Sequence, residues 1–528
     1  MTVDNDVAEP ARLLPGPRRG LADEARDLLA GLAREPWGQS SPSVYETARL
    51  VSLAPWLPAH VGRLSFLLAT QRADGAWGPP DGYALVPTLS ATEALLATAK
   101  TSGDQADLRA AAGRGVLALF NLLHGPGAPP IPDTPAADLI VPALVERINE
   151  HLDAHGNDHA VRRLPLPDGM AAGRLAAIRA RFASGAAVPQ KLLHALEVLG
   201  EAARDVGDVR PVPPGTVGAS PAATAAWLGG RFSAPGPGGA ADDARAYLDT
   251  VARRHGGPVP CATPITAFER AWVLGGLARA GVPLDPLPTL VESLTADNGP
   301  SGTPAGPGLP ADADTTSVAL FALAELGYPA DPAVLWAYDT GEHFCTWPGE
   351  DGFSVTTNAH VLDAFGHHAL TADRSAPRYA AALHRLSGWL CAQQDDDGAW
   401  LDRWHSSPYY ATACCVLALA RFGRGRAVAP AIARAVDRVV AAQRPDGSWG
   451  RWSGTVEETA YALHVLLAPG APARPDADPA ARRGQEYLIS AVGRQPDPPL
   501  WHDKDLYAPA AIIRAGVLSA HQLIRRRK

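Results

Sequence analysis

One seven-residue pattern, Gln-x-x-x-Gly-x-Trp, occurs three times in the chain and limits its fold more than any other feature. The copies are Gln71-Arg-Ala-Asp-Gly75-Ala-Trp77, Gln394-Asp-Asp-Asp-Gly398-Ala-Trp400 and Gln443-Arg-Pro-Asp-Gly447-Ser-Trp449. Each follows a stretch whose apolar residues recur at helical spacing. Gly fits a helix end where φ must turn positive. Gln can bond backbone groups left open at a neighbouring helix end, and Trp can cover the junction. Such a motif ties outer helices to inner ones, so it points to a repeat fold of paired helices and marks no reaction centre.

The rest of the chain agrees. Ala- and Leu-rich helical spacing runs through residues 22–33, 91–100, 315–326 and 458–468. Alternating runs of β-branched residues, the mark of strands, are scarce. Loops rich in Pro and Gly fall at 207–218, 234–240, 297–310 and 469–480. At 528 residues the chain is long enough for two or more domains, and 46% hydrophobic residues suffice for large cores. The net charge of −8 is spread along the chain, without the basic patch that a nucleic-acid partner requires.

Residues 1–20 are polar and carry no apolar signal core, and no stretch approaches the ~18 uninterrupted apolar residues of a membrane span. Neither a secretory signal nor integral membrane association is expected. The cysteines, Cys261, Cys345, Cys391, Cys414 and Cys415, are odd in number and form no CxxC pair. That argues against a disulfide framework and against a cysteine-rich zinc site. A reducing cytoplasm is the expected location.

The three repeats resemble the QW motifs of the squalene–hopene cyclase and class II diterpene cyclase superfamily. Other segments resemble it in the same order: Ser41-Pro-Ser-Val-Tyr-Glu-Thr-Ala48, Leu192-Leu-His-Ala-Leu-Glu197, Ser220-Pro-Ala-Ala-Thr-Ala225, Phe268-Glu-Arg-Ala-Trp272 and Leu500-Trp-His-Asp-Lys-Asp-Leu-Tyr507. The resemblance spans residues from about 40 to 515. It implies an all-α chain of two α/α barrels, a γ domain at 46–261 and a β domain at 262–528, with the active site between them. Residues 1–45 would pack on the β domain. The additional class I domain of the plant enzymes is not expected, because the chain ends soon after the last of these segments.

The central motif is Asp312-Ala-Asp314-Thr315-Thr316. On its own it reads as a helix cap before an apolar run. In the family this place is held by DxDD, whose middle Asp is the general acid, and the resemblance assigns that role to Asp314. An alkene is a very weak base, so its protonation needs a dry, correctly aimed acid that keeps its proton near neutral pH. Burial and a neighbouring carboxylate both favour the protonated form. Asp312 is the adjacent carboxylate, and Thr315 stands where the family has a further Asp and could orient the acid. Asn358 lies where plant-type enzymes carry an Asn bonded to the acid.

A carbocation formed in the pocket is stabilised by aromatic faces. Candidate rings are Trp227, Trp272, Phe353, Trp404, Tyr409 and Tyr410. The resemblance places His194 where plant-type enzymes hold the water that takes the final proton. The Asn that should accompany it is replaced by Cys261. By the same resemblance Lys504 would contact the diphosphate, Mg²⁺ would be the cofactor, and Glu46 would be its ligand. The class I ionisation motif DDxxD is absent.

The expected activity is therefore protonation-initiated cyclisation of a linear prenyl diphosphate with the diphosphate retained. Bacterial enzymes with a DxDTT motif include drimenyl diphosphate synthases, which favours farnesyl diphosphate as substrate. Geranylgeranyl diphosphate going to a copalyl-, halimadienyl- or clerodane-type diphosphate is the alternative. A homodimer is an expected assembly. Two other classes compete: a zinc-dependent protein prenyltransferase subunit, and a non-catalytic helical scaffold.

Overall fold

The four stretches singled out by their spacing are helical in the computed structural model. It describes residues 20–527 except 102–105, 126, 155–162, 168, 171, 205, 230–238, 285–287, 372–376, 492–493 and 495–496. The polar N-terminal tail and most of the expected loop 234–240 lie outside the described residues. The expected loop 469–480 ends early, because a helix starts at Ala477.

Among the described residues helix α1 (Leu21–Arg34) comes first. The N-terminal barrel contains α2 (Val44–Leu53), α3 (His60–Thr70), α4 (Leu85–Thr101), α5 (Ala106–His124), α6 (Ala137–Ala154), α7 (Ala172–Ala183), α8 (Pro221–Leu228) and α9 (Ala240–Arg254). Helices α2, α4, α6 and α8, with the 3₁₀ segment Gln190–Arg204, close an inner ring, and α3, α5, α7 and α9 pack outside it. Its core runs from Tyr45 to Val259.

The C-terminal barrel contains α10 (Thr266–Ala280), α11 (Pro288–Ala296), α12 (Ala313–Glu325), α13 (Val355–Thr371), α14 (Pro377–Ala392), α15 (Pro408–Phe422), α16 (Val428–Ala441), α17 (Val456–Leu466), α18 (Ala477–Ser490) and α19 (Ala510–Arg527). Helices α10, α12, α13, α15, α17 and α19 each pack on the next and close a six-membered ring. The outer layer is α11, the 3₁₀ segment Pro332–Tyr338, α14, α16 and α18. Helix α1 completes it by packing on α19 and α11. Leu21, Leu28 and Leu32 accordingly belong to this core rather than to that of the first barrel.

The QW motifs join the layers by one repeated set of bonds. The Gln394 amide donates to the carbonyls of Gly398 and, on outer helix α16, Ala431, each at 2.9 Å. Gln71 and Gln443 do the same toward Ala111 and Ala480. Trp77, Trp400 and Trp449 are fully buried, and each indole donates at 2.7 Å to a carbonyl of the preceding helix, that of Leu67, Leu390 or Val439. Gly398 has φ +90°, and a Cβ there would stand 2.6 Å from the Arg434 carbonyl oxygen, so no other residue fits.

The only paired strands among the described residues are β1 (Trp501–His502) and β2 (Leu506–Tyr507), an antiparallel hairpin. Inner-helix N-termini of both barrels gather on it. The Leu500 carbonyl accepts from Ser406 N, just before α15, and Trp501 Nε1 donates to Glu457 in the first turn of α17. From the other barrel, Ser43 and Tyr45 at the start of α2 donate to Asp505, and the Ser220 cap of α8 meets Lys504. Open N–H groups at helix starts favour carboxylates, which suits the Asp-Lys-Asp tip of this hairpin.

Candidate active site

Asp312 is the N-cap of α12. Its Oδ1 accepts from Thr315 N at 2.6 Å, so the cap reading of the motif holds for this residue. The cap turns Asp314 into the first helical turn, where its Oδ1 lies 2.7 Å from His360 Nδ1 of α13. Among the described contacts His360 is therefore the residue that holds Asp314, the candidate acid. Sequence reasoning missed it, although it lies two positions after Asn358 in the same segment.

Asn358 itself does not reach Asp314. Its side chain bonds Phe344 N at 2.8 Å, Phe344 O at 2.9 Å and Ser354 O at 2.8 Å, so it fastens the loop ahead of α13. Thr315 likewise serves Asp312 rather than the acid. Thr316 bridges the Asp312 carbonyl, at 2.5 Å, and Thr303 N, at 2.8 Å, and closes the loop over the helix start.

The electrostatics involve more carboxylates than Asp312. Burial and then the charge of Asp314 push the Asp312 carboxyl up to about 8. Burial also raises Asp402 and Glu350, and the charge of Asp314 adds to both. Asp402 is not a loose neighbour. It accepts from Ser354 Oγ at 2.8 Å and Thr356 N at 3.0 Å and so caps α13. Burial alone would lower the His360 imidazole, but Asp314 at hydrogen-bond distance outweighs it and raises the group well above its usual value. A cluster of buried acids around one imidazole is a place where protons are retained.

Two of the six expected rings stand here. Trp272 of α10 meets the His360 ring edge-on with centroids 5.6 Å apart, and its indole donates to Tyr410 Oη at 2.8 Å. They belong to a larger aromatic wall. Phe268 lies 4.3 Å from Trp272, Trp501 of the hairpin 4.7 Å from Tyr410, and Tyr461 of α17 5.2 Å from Tyr410. Phe268 could have been found from its i, i+4 relation to Trp272, which puts both on one helix face. Trp501 and Tyr461 are brought in by packing from far along the chain.

Three of the other four lie elsewhere, whereas Trp404 stands next to Asp402, to which its backbone N–H donates at 2.9 Å. Trp227 is in the core of the N-terminal barrel. Phe353 is 43% exposed and packs on His343 and Trp389. Tyr409 points to the outer layer beneath Arg438. Trp404 packs on Trp347 in the loop before α15.

The N-terminal barrel presents a second ionisable cluster to the hairpin. Lys504 is fully buried, and its ammonium donates to Glu46, to Glu197 Oε1 at 2.9 Å and to Ser220 Oγ at 2.9 Å. Its three protons are thereby used, so it is not the free diphosphate ligand expected from sequence. Glu46 is corrected with it. Besides Lys504, it accepts from Ser220 Oγ at 3.0 Å and Ala222 N at 2.6 Å, which makes it a cap of α8 with a lysine counter-ion. It does not fit a Mg²⁺ site, and among the described residues no three His, Cys, Asp or Glu side chains converge to hold a metal. The zinc site that a prenyltransferase subunit would need is likewise not among them.

His194 and Cys261 are tied to the two aspartates that flank Lys504. His194 Nδ1 lies 2.7 Å from the Gly218 carbonyl and Nε2 2.8 Å from Asp503 Oδ1. A carbonyl only accepts, so Nδ1 carries a proton. With Nε2 held by a carboxylate, the ring has no free lone pair for a terminating water. The Cys261 thiol is 3.0 Å from Asp505 Oδ1, and burial, then that carboxylate, pushes it well up.

Behind the acid, a cavity of about 400 Å³ follows the axis of the C-terminal barrel. It begins at Trp272, His360, Tyr410 and Cys414 and ends beside Arg421 and Arg526. Small residues, among them Gly275, Gly276, Ala413, Ala515 and Gly516, keep the axis open.

This geometry agrees with comparisons to known proteins. Residues 350–511 match the squalene–hopene cyclase C-terminal domain. The chain is 45% identical over 498 residues to an ent-copalyl diphosphate synthase of Streptomyces sp. (strain KO-3988), covering 94% of each chain. It is 42% identical to a labda-7,13-dienyl diphosphate synthase of Streptomyces clavuligerus, covering 100% of this chain and 96% of the other. The solved ent-copalyl diphosphate synthase from Streptomyces platensis superimposes with a TM-score of 0.86 at 43% identity, over 95% of this chain and 99% of that one. An all-helical double barrel, an aspartic acid held by histidine against an aromatic wall, and near full-length identity above 40% lead to one conclusion: the chain belongs to the bacterial class II terpene cyclases, enzymes of the isomerase type.

Proposed function

We propose that the enzyme cyclises geranylgeranyl diphosphate to a bicyclic diphosphate of the copalyl type. Asp314 gives its carboxyl proton to the terminal alkene. The neighbouring double bonds supply the electron pairs for two ring closures. The resulting cation loses a proton to form a new alkene, and the diphosphate stays attached. The observation that carries this reading is the acid itself, Asp314 Oδ1 at 2.7 Å from His360 beside the Trp272–Tyr410 wall. Those rings offer π faces worth roughly 0.5–2 kcal/mol each to a passing cation.

The C20 substrate replaces the farnesyl diphosphate expected from the DxDTT motif. Its support is the relatives, whose names specify copalyl and labdadienyl diphosphates at 45% and 42% identity. Mg²⁺ belongs to the proposal as the counter-ion of the incoming diphosphate, since Glu46 is already neutralised by Lys504. Each turnover leaves Asp314 without its proton, and the barrel-axis cavity supports a return path from solvent to the back of His360.

The test is incubation of the purified enzyme with each diphosphate, with and without Mg²⁺, followed by dephosphorylation and mass-spectrometric product analysis. Geranylgeranyl diphosphate is expected to give a bicyclic C20 alcohol. Turnover of farnesyl diphosphate alone would return the assignment to a drimenyl-type product, and conversion of neither would reject the activity.

A further inference from the structure

The proposed cyclisation ends with a proton leaving a bicyclic cation, and the pair of positions expected to receive it is occupied otherwise. His194 has both ring nitrogens engaged, and the Cys261 thiol is tied to Asp505. The hairpin between the barrels supplies another group. Asp503, at its tip, is held by one oxygen: Oδ1 lies 2.8 Å from His194 Nε2 and accepts from Lys504 N at 2.7 Å. Oδ2 has no partner among the described residues, yet it is not sealed off, and the side chain keeps 10% of its surface. We propose that Asp503 is the terminating base: its Oδ2 takes the proton from the carbon next to the cationic centre, and His194 is the positioning residue that fixes the carboxylate. The inference rests on the cyclisation proposed above.

The register of the hairpin gives this oxygen its place. Trp501 pairs with Tyr507 and His502 with Leu506. Side chains alternate along a strand, so Trp501, Tyr507 and Asp503 share one face, and Asp503 follows Trp501 by about 7 Å. Trp501 stands in the aromatic wall, 4.7 Å from Tyr410, and the wall leads through Trp272 to His360 and Asp314. Acid and base thus lie at two ends of one row of rings. That separation suits the reaction, because ring closure carries the positive charge away from the alkene that was protonated.

The step balances on the carboxylate alone. The C–H bond beside the cationic carbon breaks, its electron pair becomes the new π bond, and the proton forms O–H at Oδ2. A C–H next to a carbocation is a very strong acid, so a weak base suffices. Burial alone would raise Asp503, but the charges of His194 and Lys504 outweigh it and hold the carboxyl below its usual value. A carboxyl held down hands its proton to water after the turnover, which resets the base.

The neighbouring carboxylates are engaged or enclosed. Asp505 accepts from Ser43 Oγ and lies by the Cys261 thiol at Oδ1, and it accepts from Tyr45 N at Oδ2. Glu46 has bonds on both oxygens. The second oxygen of Glu197 has no partner, but it is buried away from any open space. Among the described residues Glu457 is the rival at the wall, with Oε1 held by Trp501 Nε1 at 2.6 Å and Tyr461 Oη at 3.3 Å.

The test gives geranylgeranyl diphosphate to the full-length wild type, Asp503→Asn, His194→Gln and Glu457→Gln, and reads the products by mass spectrometry after dephosphorylation. Asn keeps an oxygen for His194 and the Lys504 N–H and puts an NH₂ group in place of Oδ2, so the fold should stand while the base is lost. A cation without its base is captured by water or loses a different proton. In Asp503→Asn the ratio of the wild-type alkene to hydroxylated and isomeric products is expected to fall by about 10²-fold or more, the low end of what a positioned base contributes. Substrate consumption should fall much less, because protonation and ring closure come first. A merely structural role would lower the rate and leave the ratio unchanged. His194→Gln, which removes the cation behind the carboxylate, should move the ratio in the same direction. An unchanged ratio in Asp503→Asn, or in His194→Gln should the first variant not fold, overturns the proposal, and a ratio that moves only in Glu457→Gln transfers the role to that residue. A wild type that forms no cyclised product rejects the proposed function and the base with it, whereas wild-type product from both the wild type and Asp503→Asn rejects the base alone.

Discussion

Lys504→Met separates what the sequence suggests from what the tertiary structure shows. The substitution keeps an unbranched stem of similar length and removes only the ammonium. If Lys504 were a free diphosphate ligand, the variant would bind substrate poorly and be as stable as the wild type. In the structure it is the counter-ion of Glu46 and Glu197, all three side chains being at most 3% exposed. Removing one partner of a buried pair costs about 3–5 kcal/mol, because the other charge is left in a poor solvent. Even with the lysine present, burial lifts Glu46 from 4.5 to about 7. At about 1.4 kcal/mol per unit this is already a penalty of roughly 3 kcal/mol against its carboxylate.

The sign of the pH dependence follows. A carboxyl whose folded pKa is raised binds more protons folded than unfolded between the two values. Its contribution to stability therefore falls as pH rises from 4.5 through about 7. Without the lysine that window extends upward. Lys504→Met should thus lower the thermal midpoint on the order of 10 °C at about pH 8, for a barrel of this size, and by much less at about pH 5.5. Far-UV circular dichroism melts at both pH values measure this. A variant with the wild-type midpoint at the higher pH and only a raised KM would refute the buried-pair account.

Three further outcomes are expected. Asp314→Asn should reduce turnover by at least about 10²–10⁴-fold, the contribution of a positioned general acid, with the melting midpoint held within a few degrees, measured as initial rates of cyclised product. Asn358→Ala should instead destabilise the fold, by about 1–3 kcal/mol in chemical denaturation, because it orphans the buried Phe344 N–H and carbonyl. It should leave the pH profile of the surviving activity unchanged, since Asn358 does not touch the acid. Activity should fall as pH rises through about 8, where Asp312 loses its proton and places a second charge beside Asp314. In Asp312→Asn that limb should move, and an unmoved limb in a kcat/KM profile would assign it to another group.

Much of this was legible in the chain because it depends on short-range spacing. The QW motif is compact: Gln394, Gly398 and Trp400 lie within seven residues, although the bonds they make reach Ala431 on α16 and Leu390 on α14. The Asp312 cap is local, since the carboxylate and the N–H it satisfies are three residues apart. Asp314 could be singled out as the candidate acid because its motif stands in a recognisable order of segments.

Roles that need a partner from another helix were not readable. Asn358 and His360 are both buried on α13, and the sequence does not say which reaches α12. The fold decides, because the loop containing Phe344 takes the Asn amide and leaves the imidazole 2.7 Å from Asp314. The same holds for the rings. Tyr409 and Tyr410 are adjacent, but a helix turns successive side chains by about 100°, so one packs under Arg438 and the other beside the acid.

What the sequence alone determined is therefore the repeat of paired helices and the capped turn at Asp312, both marked by residues a few positions apart, and it singled out Asp314 as the candidate acid. Only the tertiary structure decided that His360 holds Asp314, that Trp501 and Tyr461 join the aromatic wall beside it, and that Lys504 is a structural counter-ion. Each of those contacts joins groups brought together by the closure of the barrels and by the hairpin driven between them. Charge, burial and distance arise there from packing, which no single segment carries.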